Sequence, residues 1–375
     1  MTSIVRIQSR PQLVKALLPY AKPDTLQGVL RFAADYALFL AGTAVALLAT
    51  NLALRVAGGF LAGWRMSTLY AIAHDAAHNT LTASKRLNKV IGAISYMTGF
   101  YNYRLRLYDH LLRHHPMVNG PQPDAYRPLS LAQYEAMPAW RRAWERFIRS
   151  GNPLSWMAYG AVMRMLKSET FPKKTMPANV RRGAWGFAAV LGVYVSVLLA
   201  AIAYASVHAG AFSIAQFAVN LFFTLVVPFL VFQANMGFTV YFQHTDPRVP
   251  WFGEGDARHV EHGSEELSVH VDMPRWVSSL FHHAFCHAAH HVCPSIPCYR
   301  LYDAQRELAA RMGEASVTVP FRLRTLIDVA ARCKLYDYEH HHWIDFDGRP
   351  TSPRLVSYPQ AANRSKFGDL MEIAA

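Results

Sequence analysis

The chain is 375 residues long, 52% hydrophobic and only 17% charged, against about 25% charged in an ordinary soluble domain. Its formal net charge is +13. That balance excludes a disordered basic tail and fits a membrane protein with cationic loops on the cytoplasmic side; nucleic-acid binding is set aside because no reading motif is present.

Residues 1–30 predict a basic amphipathic lead-in along the cytoplasmic membrane surface. They contain no continuous apolar core and do not read as a signal peptide. Tyr36–Leu54 is a 19-residue run without a charge, long enough to span a bilayer. Arg55 and Gly58-Gly59 punctuate it, and a second apolar stretch runs to Ala73. Arg65 lies inside that stretch and must face the bundle or snorkel. The two stretches predict a helical hairpin with almost no loop. His74 and His78 follow in AHDAAHNT, where the second helix should leave the bilayer. Val90–Tyr103 is uncharged for 14 residues, too short to span, and reads as an interfacial segment. Directly after it, YDHLLRHHPMVN carries His110, His114 and His115.

Residues 120–182 are Arg-rich and Pro-studded, with aromatic residues among the cations, as in a layer against lipid headgroups. Gly183–Thr245 then holds 63 positions without a charge. This predicts two further spans with their turn at Val207–Ser213 and His244 at the cytoplasmic end of the fourth. From Asp246 the text is soluble-like. It contains FHHAFCHAAHH at Phe281–His291, in which His287 pairs at i, i+3 with His290 and at i, i+4 with His291 on one helix face. The run His340–His342 reads as an exposed tail feature. Cys286, Cys293, Cys298 and Cys333 form no C-x-x-C pair and read as reduced thiols. No repeat or linker divides the chain, so one domain is expected over residues 1–375, with a core at 35–305 and a cytoplasmic region at 306–375. The expected fold is an all-α integral membrane bundle of four spanning helices in two hairpins, capped by cytoplasmic helices. Both termini and every His cluster then share the cytoplasmic face.

His74/His78 and His110/His114 are i, i+4 pairs, His115 is adjacent, and His287, His290 and His291 supply a third group. With His244 this makes nine imidazoles near one membrane boundary. Clustered buried imidazoles call for a transition metal. A structural zinc site takes four ligands, usually with thiolates, and the first cluster lacks the Glu of H-E-x-x-H. Magnesium and calcium prefer oxygen. Copper(II) and iron both suit imidazole, and nine ligands divide between two ions. A membrane metal transporter would place His or acidic residues within its spans, and the long uncharged region has only His208 and His244. His244-Thr245-Asp246 matches the H-x-D of mononuclear iron sites, but nothing completes a triad. Asp75, Asn119, Asn235 and Asp124 could hydrogen-bond ligand imidazoles, or serve as caps and turns.

These three boxes, with FQHTDPRVPW and FHHAFCHAAHHVCPSIPCYRLYDA, resemble the membrane fatty-acid desaturase superfamily in order, spacing and position relative to two hairpins. HDAAHNT and RLRLYDHLLRHHP also resemble the related carotenoid ketolases and hydroxylases. The resemblance covers roughly residues 35–305. It implies that His74, His78, His110, His114, His115, His287, His290 and His291 bind two irons, with His244 as a ninth ligand. Three residues separate His110 from His114 where many acyl desaturases have two, which makes His110 the weakest box ligand. His282 and His283 are extra to the pattern. The resemblance further implies O2 as co-substrate and desaturation of a fatty-acyl chain carried on coenzyme A, carrier protein or phospholipid; the alternative is a hydroxylase or ketolase acting on a lipid or carotenoid. No haem, iron–sulfur or nucleotide motif is present, so electrons are expected from an external ferredoxin or cytochrome. A bacterial inner membrane is favoured over the endoplasmic reticulum.

Overall fold

A computed structural model describes residues 9–121, 126–208 and 213–356. Its first hairpin pairs Thr25–Leu48 with Leu52–Ala77. The first helix starts well before Tyr36 because Asp24 caps it, accepting from the Gln27 amide. The turn lies at Ala49–Asn51, where the Asn51 side chain accepts from the Leu54 amide at 3.2 Å. Gly58 and Gly59, expected as punctuation, sit inside the second helix and let backbones meet. A Cβ on Gly58 would lie 2.6 Å from the Ala46 nitrogen, and one on Gly63 would lie 2.4 Å from the Pro228 carbonyl oxygen. Small residues at such crossings are how helices approach closely in a membrane.

Among the described residues, three helices are long and apolar enough to cross a bilayer: Thr25–Leu48, Ala178–Val207 and Ile214–His244. Leu52–Ala77 is long enough at 26 residues but carries Arg55, Arg65, His74 and Asp75. Its two arginines are turned inward. Arg55 donates to the Ala46 carbonyl and to Asn220 Oδ1 at 2.7 Å, and Arg65 pairs with Asp35 at 3.0 Å. The expected turn between the last two spans falls largely on residues 209–212, outside the described residues.

The expected helical cap is not purely helical. His270–Asp272 pairs in parallel with Thr318–Pro320, and Leu335–Asp337 pairs antiparallel with His342–Ile344 in the register Tyr336↔Trp343. The His340–His342 run, expected as an exposed tail, belongs to that second ribbon. His341 is fully buried with its Nε2 3.0 Å from Asp256, because the ribbon folds Trp343 and Tyr336 into the core. The N-terminal lead-in also differs from expectation. Arg10–Leu17 buries Leu13 and Leu17 against protein, in the cluster holding Val292, Leu301 and Leu308. Its apolar face is taken by the helix Cys298–Met312.

Candidate metal centre

The hairpin helix Leu52–Ala77 delivers His74 on its last turn and His78 as its C-cap. The helix Tyr103–Asp109 runs into a π turn at His110–His114, where the His115 amide bonds back to the His110 carbonyl five residues earlier. A π turn absorbs one extra residue and is common where helices carry function. Here it houses the longer spacing of the second box. His287, His290 and His291 lie on a buried helix, His287–Val292, and His244 ends the helix Val227–His244.

These nine side chains assemble into two groups. His74, His78, His110, His115 and His290 form one; His114, His244, His287 and His291 form the other; within each, the ligand atoms lie within 4.8 Å of one another. The i, i+4 pairs His74/His78 and His287/His291 each fall within one group, but His110 and His114 do not. The π turn rotates these two into different groups. His110, expected as the weakest member, has its Nε2 3.0 Å from both His78 Nε2 and His115 Nε2. His115 Nε2 is also 3.1 Å from His290 Nε2. In the second group, His287 Nε2 lies 2.9 Å from both His244 Nε2 and His291 Nε2. The groups adjoin, with the His115 and His291 ring centroids 4.7 Å apart.

Protons alone cannot satisfy this arrangement. A neutral imidazole nitrogen carries either one N–H or one lone pair, yet the Nε2 atoms of His110, His115 and His287 each meet two others. A cation at the centre of each group satisfies every lone pair at once. Nitrogens about 3.0 Å apart match the edges of a coordination shell with metal–nitrogen distances of about 2.1 Å. The donor set therefore fits two transition-metal ions. Burial, reinforced by neighbouring imidazoles, pushes His78, His110, His115, His287, His290 and His291 well below the usual imidazole range. All six are held neutral, as metal ligation requires.

Hydrogen bonds orient several rings from outside. His244 Nδ1 lies 3.2 Å from the Leu267 carbonyl and His74 Nδ1 lies 3.4 Å from Asp75 Oδ1. Asp75 also accepts from the Cys298 amide at 2.5 Å, so it ties the first box to the segment after the third. Asn119 serves a turn: its φ is 52° and its Nδ2 donates to the Pro250 carbonyl. Asp246 is occupied by Arg248 at 2.8 Å and joins neither group. Asp124 lies outside the described residues. His282 and His283 are also outside both groups; His282 meets Asp35 and His283 Nδ1 meets the Ser278 hydroxyl at 2.8 Å.

A cavity of about 300 Å³ runs beside the two groups. Its apolar lining includes Ala71, Met163, Met236, Val240, Phe281 and Leu301, and it reaches His74, His110, His114, His244, His287 and His290. Asn235, open in the sequence between bonding a ligand imidazole and a cap or turn role, lines it too. Arg106, Arg113, Arg164 and Lys173 add cationic lining. Composition had not singled out these cations, and His282, extra to the box pattern in the sequence, also lines the cavity, because only the fold brings them there. The Cys298 thiol on its wall is pushed well up by burial and by Asp75, so it is neutral. The cavity thus places apolar side chains directly beside both imidazole groups.

The profile of the fatty acid desaturase family matches residues 50–322. The chain is similar to the chloroplastic omega-6 fatty acid desaturase of Spinacia oleracea, with 25% identity over 308 residues, 80% of this chain and 63% of that protein. It is similar to an sn-1 oleoyl-lipid 12-desaturase of Synechocystis, 27% identical over 74% of this chain and 75% of the relative. An sn-1 acyl-lipid omega-3 desaturase (ferredoxin) of the same organism is 25% identical over 66% of this chain and 65% of the relative. The chain thus spans somewhat less than two thirds of the spinach protein and three quarters of the first Synechocystis one.

Proposed function

The chain belongs to the fatty acid desaturase family, and from that premise we propose that it is an O2-dependent membrane desaturase. It introduces a carbon–carbon double bond into the acyl chain of a lipid, using two irons. His74, His78, His110, His115 and His290 would hold one ion, and His114, His244, His287 and His291 the other. The observation that carries this reading is the opening of both imidazole groups onto one cavity whose wall combines apolar side chains with polar and cationic ones. When bound, iron supplies the O2 activation and hydrogen abstraction that an unactivated C–H bond requires. The protein's own work is orientation. Met163, Met236, Val240, Phe281 and Leu301 line walls along which an alkyl chain can lie beside the imidazoles. The acyl-lipid substrates in the relatives' names support a glycerolipid-bound chain over a soluble thioester.

Electrons would come from a separate ferredoxin-type donor, in line with the name of the Synechocystis relative. Exposed Arg146, Lys173, Lys174 and Arg182 on the 141–182 layer suit an acidic partner. In this reading the Leu52–Ala77 helix completes four spans, with its arginines compensated inside the bundle. The termini and metal centre then face the cytoplasm of a bacterial inner membrane. Expression in a bacterium of known lipid composition, followed by fatty-acid analysis, tests the proposal. New double bonds that vanish in His287→Ala support it; alcohol or ketone products, or unchanged lipids from iron-loaded protein, overturn it.

A further inference from the structure

His282 stands five residues before His287 and belongs to neither imidazole group. Its backbone is left-handed at φ 48°, as is that of His283 at 58°. Two consecutive non-glycine residues in this region carry a steric cost, and such strain persists where the surroundings hold it in place. What holds His282 is Asp35, from the first hairpin helix: His282 Nε2 lies 2.5 Å from Asp35 Oδ2. The other Asp35 oxygen accepts from Arg65 at 3.0 Å. Asp35 sits one turn beyond Arg31, whose guanidinium lies over Tyr299 of the helix after the third box, so the pair is on the metal-centre side of the bundle. Both side chains are buried, at 7% and 5% exposure, and Arg65 is 19% exposed. The remaining ring nitrogen of His282, Nδ1, is buried without a hydrogen-bond partner. His282 also lines the cavity that both imidazole groups reach. A buried polar atom left without a partner is costly, and water in the cavity would satisfy it.

We propose that His282 is a proton-relay residue feeding this cavity and that Asp35 is its positioning residue. The inference rests on the desaturase reading, and the need for a relay follows from the balance of that reaction. Forming one double bond removes two hydrogens from –CH2–CH2–. Reducing one O2 to two waters takes four electrons and four protons. Substrate C–H bonds provide two of each, an external one-electron iron–sulfur donor provides two electrons, and two protons must enter from water. The alkyl chain has no acidic hydrogen. The carboxylates on the cavity wall are otherwise engaged, Asp75 by the Cys298 amide and Asp109 by Arg113. The Asp35 carboxylate fixes the tautomer with Nε2–H and stabilises the imidazolium, as an aspartate does for a catalytic histidine. With Nε2–H held by Asp35, Nδ1 alone exchanges: it takes a proton from water that enters the cavity and, as the imidazolium, gives it to the oxygen that is being reduced to water.

The test uses full-length, iron-loaded protein with a reduced [2Fe–2S] ferredoxin and a saturated acyl glycerolipid. His282→Gln and Asp35→Asn are compared with the wild type for double bonds formed, O2 consumed, peroxide released and solvent deuterium isotope effect. Iron content and thermal midpoint are read in parallel. In the metal-free protein, the far-downfield proton resonance of the short Asp35–His282 hydrogen bond is followed by NMR and is lost in Asp35→Asn. Turnover is expected to fall about 100-fold with iron retained, peroxide per O2 to rise, and the isotope effect to grow. Added 4-methylimidazole should restore coupling in His282→Ala. If His282→Gln loses iron or melts early, the methylimidazole series and the milder Asp35→Glu decide. Double bonds per O2 unchanged in iron-loaded variants, or a loss of activity that only tracks lost iron, would overturn the relay. A wild type that forms no double bond overturns the desaturase reading itself, and the relay with it.

Discussion

His114 and His115 are adjacent in sequence, yet they serve opposite groups of imidazoles. His115 reaches His110 and His290 through its Nε2, while the His114 ring lies edge-on to His244 at 5.0 Å. The backbone between them leaves a π turn, so one short segment feeds both halves of the centre. The third box does the same, with His290 in one group and His287 and His291 in the other.

Deleting Leu112, a 66% exposed residue inside the π turn, would reset the second box to tighter helical spacing. His110 then rotates away from His78 and His115. Metal analysis of the purified variant should show iron falling toward about one per chain, while far-ultraviolet circular dichroism keeps the wild-type helix content. Full iron content in the deletion variant would show that the π turn is incidental.

The crossing of Leu52–Ala77 with Val227–His244 depends on absent side chains. A Cβ at Gly63 meets the Pro228 carbonyl oxygen and Val231, both on a helix that must stay in register for His244. Gly63→Val is expected to cost about 1–3 kcal/mol, the usual range for overpacking a tight core. A lowered melting temperature in detergent checks it, and an unchanged one contradicts the close crossing.

The cavity should set chain length. Met236 and Val240 lie on its wall, and Val240→Trp fills space there. Products from the variant are expected to shift toward shorter acyl chains with iron content unchanged, as gas chromatography of the lipids would reveal.

Acid should strip and loosen the protein. Burial lowers His283 to about 4, with Arg31 next in effect, and the box histidines are lowered in the same direction. Above about pH 6.5 these rings are neutral whether the chain is folded or not, so their stability contribution is fully present. As pH falls below 6.5, the unfolded chain binds protons that the folded one excludes, and stability declines. For His283 the decline levels off near pH 4. Iron retention and thermal midpoint, followed from pH 8 to pH 5, should both drop below about 6.5, and His283→Gln should flatten the metal-free profile.

Much of the centre was legible in the sequence, because imidazoles at helical spacing beside uncharged runs have few other uses. The nine histidines named there as ligands all enter the two groups. Their division between groups was not legible, since it depends on a π turn whose hydrogen bond leaves no compositional trace. Arg65 and Asp35 are 30 residues apart, so the sequence showed a buried cation without its partner. His341 was misread because a short polar run looks exposed until Trp343 and Tyr336 are seen to carry it inward.

Iron stoichiometry tests the two-ion account most directly. Wild-type protein, purified anaerobically and analysed for metal, is expected to hold about two irons per chain. Loss of His290 or of His287, each in a different group, should remove about one iron apiece. One iron or none in the wild type, or two irons retained in both His290→Ala and His287→Ala, would contradict it.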